Sequence, residues 1–239
     1  MRETLTVYRK EMRGYLTGPI PYIVVALFSV ATTWWVFSPQ DFLLMGQASL
    51  EPLFGILPIA FAIFVPAIAM RTWAEEIRGG TIESLMTMPV RTRHLVAGKF
   101  LAAWTVVGFC LLSTAGVPIT AATLGDLDVG PAIAGYLGAL LMAGGFLAIG
   151  MWLSSLTSNQ IVAFLLGFVV CLLLALLDFL GATSGGSAVS DLLEQVSVTS
   201  RFRSVARGVL DLRDLLYFAS LVAIFLYLNV ETIENRRYA

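Results

Sequence analysis

The sequence predicts an all-α polytopic membrane protein with six membrane-spanning helices. Three observations carry this. Charge is scarce: 15 basic and 16 acidic side chains among 239 residues amount to 13%, about half of the roughly 25% in a soluble domain. The apolar set is 58% before 21 glycines are counted, more than a chain of this length can hide in its own interior. The apolar residues also fall into uncharged blocks close to the roughly 20 residues that a helix needs to cross a bilayer. These features exclude a soluble enzyme, a disordered chain and a nucleic-acid binder with a basic face. Two cysteines without a spacing pattern exclude a disulfide scaffold.

The elements follow in order. In residues 1–18, Leu5, Tyr8, Met12 and Leu16 recur every three or four positions, with Arg9, Lys10, Glu11 and Arg13 between them. That spacing predicts an amphipathic helix with a basic face, lying in the membrane interface. Gly18, Pro19 and Pro21 then turn the chain into a first span at 20–38. Its prolines, its interfacial Trp34 and Trp35 and its lack of a small-residue cleavage site set it apart from a signal peptide. A second span covers 53–71 and a third 97–124, with Pro58, Pro66 and Pro118 as candidate kinks. The uncharged run from Val129 to Leu177 is too long for one span. Ser154, Ser155, Thr157, Ser158, Asn159 and Gln160 divide it, which predicts a tight turn between spans at 131–153 and 160–180. The sixth span, 213–231, has a shorter apolar centre from Leu215 to Val230.

Lys and Arg in the short flanks set the orientation. Arg2, Arg9, Lys10 and Arg13 precede span one. Arg71, Arg78, Arg91, Arg93 and Lys99 lie between spans two and three, and Arg236 and Arg237 follow span six. An even number of spans puts them all on one side, the cytoplasm, with both termini cytoplasmic. The loops at 39–52 and 125–130 carry Asp41, Glu51, Asp126 and Asp128 and no basic residue. The outer segment 181–213 is the exception: it carries Arg201, Arg203, Arg207 and Arg213, offset by Asp191, Glu194, Asp211 and the adjacent Asp214. Its pattern around Val198, Phe202, Val205 and Val209 predicts one or two short amphipathic helices near the outer interface, with Gly208 at a bend.

Residues 71–94 hold the densest charge in the chain. Helix formers flank Gly79 and Gly80, Thr81 is placed to cap a helix that begins after them, and Pro89 stops it. A short helix carrying Leu85, Met86 and Met88 beside Glu83 is a docking element for another protein, or a solvated loop held by local ion pairs. Inside the spans, Ala134 with Gly138 and Gly144 with Ala148 have small-xxx-small spacing, suited to close packing within the subunit or across a dimer.

Catalytic and metal-binding patterns are missing. The single histidine, His94, neighbours Arg93, and Cys110 and Cys171 lie within spans. There is no HExxH, no phosphate-binding GxxxxGK and no Ser/His/Asp set. Asp178 and Glu231 fall at span ends, so no mid-membrane carboxylate marks an ion-coupled carrier. Any energy for transport comes from a partner.

The run Glu75-Glu76-Ile77-Arg78-Gly79-Gly80-Thr81-Ile82-Glu83-Ser84-Leu85, followed by Met88-Pro89-Val90-Arg91 and Gly98-Lys99-Phe100, resembles the cytoplasmic segment of ABC-2-type transporter permease subunits. Phe202, Gly208, Asp211, Asp214 and Tyr217, with Glu231, Glu234, Arg236 and Arg237, resemble the branch of gliding-motility-associated permeases and copper-related nitrous-oxide-reductase maturation permeases. The resemblance implies a six-span permease with an N-terminal interfacial helix and short outer re-entrant helices over 183–211. It also implies a cytoplasmic coupling helix over 73–89, with Trp73, Glu75, Glu76, Arg78, Gly80, Thr81, Glu83, Leu85 and Pro89 at the contact with a separate ATPase. Two permeases and two ATPases would form the complex in the cell inner membrane. ATP and Mg would sit on the ATPase, and this chain would bind no cofactor itself. The uncharged 154–160 turn departs from a strong second docking point. Two functions stay open: an ATP-driven exporter, or a mechanotransmitter that anchors and moves a periplasmic partner without a continuous substrate path.

Overall fold

A computed structural model of the chain describes residues 2–37, 49–87, 90–183, 196–209 and 211–238. Among them all regular structure is helical: α1 (Arg2–Thr17), α2 (Pro19–Phe37), α3 (Glu51–Ala69), α4 (Arg71–Arg78), α5 (Thr81–Met86), α6 (Thr92–Ser113), α7 (Gly116–Leu124), α8 (Val129–Leu156), α9 (Gln160–Thr183), α10 (Val198–Ala206) and α11 (Leu212–Tyr238). Among the described residues, six helical stretches are long and apolar enough to cross a membrane: Pro19–Phe37, Glu51–Arg78, Thr92–Thr123, Val129–Leu156, Gln160–Gly181 and Leu212–Arg236.

These six sort into two layers. The stretches built on α3, α6 and α8 are 61–67% buried inside the bundle, whereas α2, α9 and α11 are only 17–22% buried. The outer three therefore present apolar side chains such as Ile23, Leu27, Leu165, Leu173 and Ile224 outward, as a lipid-facing shell does. The core between them holds Phe28 stacked on Phe61 at 5.5 Å, with Met142, Phe146 and Leu147 fully buried.

Helix α8 is the hub, and its small residues are used within the chain. A Cβ on Gly138 would lie 2.7 Å from Val205 of α10, and one on Gly150 would lie 2.7 Å from Ala69 of α3. Gly135 meets Phe54, and Gly145 meets Leu221. Close approach at these points is what the small side chains permit.

The third span, expected over 97–124, carries the kink for which Pro118 is a candidate. It breaks at Thr114 and Ala115, whose N–H groups donate to Leu111 and Leu112 at 3.1 Å in a tightened turn. Pro118 is the cause, since it has no N–H to give the Thr114 carbonyl. That oxygen accepts instead from the Val117 N–H at 2.9 Å and from the Tyr136 hydroxyl at 3.3 Å. Pro58 and Pro66, by contrast, sit in an unbroken α3. Between α8 and α9 the chain turns in three residues, and Asn159 Oδ1 accepts from the Ile161 N–H at 2.9 Å to cap α9.

Helix α1 packs on the bundle through a seam that shares only Tyr8 with its apolar stripe: Leu5 and Leu16 are about half exposed. The seam runs through Thr4, Val7, Tyr8 and Glu11. Thr4 Oγ1 bonds His94 Nδ1 at 3.0 Å, and Tyr8 bonds Thr105 at 3.4 Å. A Cβ on Gly98 would lie 2.7 Å from Val7. Both chain ends thereby meet at one pole, where Val7, Trp73, Leu95, Val96 and Ile233 share a cluster.

Candidate functional site

The pole that gathers the termini also carries α4 and α5. Helix α3 passes into α4 through Met70 alone, whose N–H still donates to Pro66 at 2.8 Å. The joint is fastened from α8. Ser154, fully buried, donates to the Met70 carbonyl at 2.8 Å and accepts from the N–H groups of Trp73 and Ala74 at 3.3 and 3.1 Å. It thus satisfies backbone groups that a helix start leaves without partners.

Lys99 is the second fastening. It stands near the start of α6, only 2% exposed, and its Nζ donates to Glu76 at 2.8 Å, Glu11 at 3.1 Å and the Thr72 carbonyl at 3.2 Å. The ammonium also lies 5.1 Å from the centre of the Trp73 ring, a distance at which the ring face attracts a cation. One buried charge therefore ties three elements, α1, α4 and α6. Taking an ammonium out of water is costly, and these acceptors offset that cost. Nearby, burial pushes the Tyr15 hydroxyl up to about 12.

The double glycine separates α4 from α5. The Gly79 N–H donates to Glu75 at 2.9 Å, closing α4, and Gly80 takes a left-handed φ of 67° that favours glycine. Thr81 does not cap α5, as its position in sequence had indicated. Gly80 occupies the cap position, and Thr81 Oγ1 reaches back to the Glu76 carbonyl at 3.3 Å.

The residues expected at a partner contact divide into two sets. Glu75, Arg78, Gly80, Thr81 and Glu83 are exposed, with Glu75 held by Arg71 at 2.8 Å. Trp73 is fully buried and Glu76 is turned onto Lys99, so neither presents itself outward. Leu85 packs at the edge of the Trp73 cluster. Met88 and Pro89 lie outside the described residues. Of the α1 residues, Arg9, Lys10 and Arg13 are exposed, and Tyr8 and Met12 are half-buried.

At the opposite pole, α10 packs flat against α8. Ser197 caps it, and Thr199 Oγ1 donates to the Ala175 carbonyl at 2.7 Å. Arg201 pairs with the buried Asp214 at 3.2 Å and Arg203 with Asp178 at 2.9 Å. These pairs account for two of the outer arginines, whereas Asp191 and Glu194 lie outside the described residues. Gly208, with φ 88°, lies against Pro131 and turns α10 toward α11, where Asp211 accepts from the Arg213 N–H at 3.0 Å. Phe202 is buried and lines a cavity of about 630 Å³ with Glu51, Phe54, Pro58, Asp128, Pro131 and Arg207.

Sequence reasoning named Lys99, Ser154, Glu11 and Gly98 only as flanking, turn or motif residues and did not foresee the joint they form. Lys99 read as a flanking charge and Ser154 as part of a turn. The available signal was the pair Gly98-Lys99, a residue that admits a neighbouring helix followed by one that can hold it.

A helical bundle with six stretches long and apolar enough to cross a membrane among the described residues, and with a charged, exposed end fastened to its central helices, defines a multi-pass membrane protein. Residues 5–231 match the family model described as ABC-2 family transporter protein. The chain belongs to that family of membrane transport proteins. No curated protein matches the chain.

Proposed function

We propose that this chain is the permease subunit of an ATP-driven exporter in the cell inner membrane, with both termini cytoplasmic. Two copies pair with two copies of a separate ATPase that holds ATP and Mg. The observation that carries this reading is the α4–α5 appendage. It offers Glu75, Arg78, Thr81 and Glu83 outward, and Ser154 and Lys99 fasten its base to α8 and α6. A partner that grips this segment pushes on the central layer of the bundle rather than on a loose loop. The chain does no bond chemistry. It supplies a conformational equilibrium that nucleotide-driven closure biases.

The test is ATPase activity of the purified complex. Glu83→Lys reverses an exposed charge, and Gly80→Pro cannot adopt the left-handed turn. Both are expected to lower substrate-stimulated ATPase activity while the permease stays in the membrane. Unchanged stimulation in both variants refutes the assignment. Mechanotransmission to a periplasmic partner is the second reading, favoured by the exposed Val196, Val209 and Leu212 around α10. A stable complex through that surface, with hydrolysis indifferent to any small solute, decides for it.

A further inference from the structure

Helix α1 has two opposed faces, and only one is used by the bundle. Thr4, Val7, Tyr8 and Glu11 look inward onto α6. At 3.6 residues per turn, Arg2, Arg9 and Arg13 fall on the opposite side within about half a right angle of one another. All three are exposed, and none has an acidic partner within ion-pair distance among the described residues. Glu3 is exposed on the same helix, and Lys10 has only a 3.8 Å contact with Glu11. Leu5 and Leu16 border the arginines and are about half exposed. The stripe continues through Gly18 into the outward apolar surface of α2 at Ile20 and Ile23. Unpaired cations beside exposed leucines, next to a lipid-facing helix, match the boundary between headgroups and acyl chains.

We propose that this stripe binds anionic phospholipid headgroups and that the Glu11–Lys99–Glu76 joint passes their effect to α4, so that membrane charge tunes the coupling segment. The occupant follows from charge complementarity: a phosphodiester with net negative charge satisfies free guanidinium groups, and a zwitterionic headgroup does so less well. The transmission follows from geometry. Glu11 lies on the inner face of the same helix, 3.1 Å from the ammonium that holds Glu76 of α4 at 2.8 Å. A shift of α1 against the headgroups therefore moves a shared ligand of α4. This second half rests on the permease reading above, and the lipid half does not.

Two measurements separate them. In the first, the permease alone is reconstituted with spin-labelled phosphatidylglycerol or phosphatidylcholine. Motionally restricted phosphatidylglycerol is expected in excess, and Arg9→Gln/Arg13→Gln is expected to remove the preference, each arginine contributing about fivefold. Equal association of both lipids with the unmodified chain overturns the lipid site. In the second, the complex with its ATPase is placed in vesicles of phosphatidylcholine with or without about 30 mol% phosphatidylglycerol. The ratio of the two ATPase rates is expected to exceed about 2 and to fall to about 1 in Arg9→Gln/Arg13→Gln. Glu11→Gln leaves Lys99 its bond to Glu76 and so spares the fold. It is expected to keep the lipid preference of the first measurement and lose the rate ratio of the second. A ratio of 1 for the unmodified complex overturns the transmission. Failure of any ATPase to associate shows in the second measurement alone and counts against the permease reading, not the lipid site.

Discussion

Replacing Lys99 by Met is the sharpest perturbation of the joint. Lys99 is 2% exposed, and its carboxylate partners Glu11 and Glu76 are only 19% and 17% exposed. Methionine keeps most of the side-chain volume but removes the cation. Two carboxylates then face each other at the base of α4, and the Thr72 carbonyl loses its donor. Removing one member of a buried ion pair costs about 3–5 kcal/mol, because the charge left behind is uncompensated. For a chain of this length roughly 2–4 °C accompanies each kcal/mol, so the midpoint of thermal unfolding in detergent is expected to fall by roughly 6–20 °C. Neutralising both partners reverses much of this. Lys99→Met combined with Glu11→Gln and Glu76→Gln is expected to be more stable than Lys99→Met alone, since no unpaired charge remains. A Lys99→Met midpoint within about 2 °C of the parent, or a triple variant less stable than the single one, refutes the reasoning.

Other perturbations follow from the same geometry. Ser154→Ala leaves the Trp73 and Ala74 N–H groups buried without their acceptor and is expected to cost about 1–3 kcal/mol. Hydrogen exchange at those two amides should accelerate; unchanged exchange counts against the fastening. Gly98→Leu forces a side chain into Val7 and is expected to undock α1, read as faster trypsin cleavage after Arg9 and Arg13. Gly80 has open space around its Cα, so Gly80→Ala isolates the backbone term and is expected to cost about 1–2 kcal/mol. Gly80→Asn should cost less, and equal midpoints for the two would contradict the left-handed turn. Asp214→Asn removes the buried partner of Arg201 and is expected to loosen α10, seen as increased proteolysis near Arg201 and Arg203.

The apolar blocks made the helical spans legible, because hydropathy is a local property of about 20 residues. The Gly79–Gly80 break was legible for the same reason, as was a turn within 154–160, though α8 runs on through Ser154 and Ser155 to Leu156. The joint was not. Lys99 at the head of a span obeys the positive-flank rule, and nothing in its neighbours announces that Glu11, 88 positions away, and Glu76 will meet it. In α1 the apolar period marks Leu5, Tyr8, Met12 and Leu16, while the seam runs through Val7, Tyr8 and Glu11. In a lipid-contacting helix exposure is no penalty for leucine, so periodicity identifies an apolar face without saying what covers it. The kink at Thr114 was half legible, because Pro118 marks a weak point but two other prolines leave α3 unbroken.

Helix α3 hands over to α4 through Met70 alone, so one continuous stretch, Glu51–Arg78, joins the two poles. Its first turns line the cavity beside Phe202 through Glu51, Phe54 and Pro58, and its last turn bears Glu75 and Arg78. A ligand seated at one end and a protein bound at the other act on the same lever. Thermodynamic linkage then requires reciprocity: whatever factor the distant protein imposes on the ligand's affinity, the ligand imposes on the protein's.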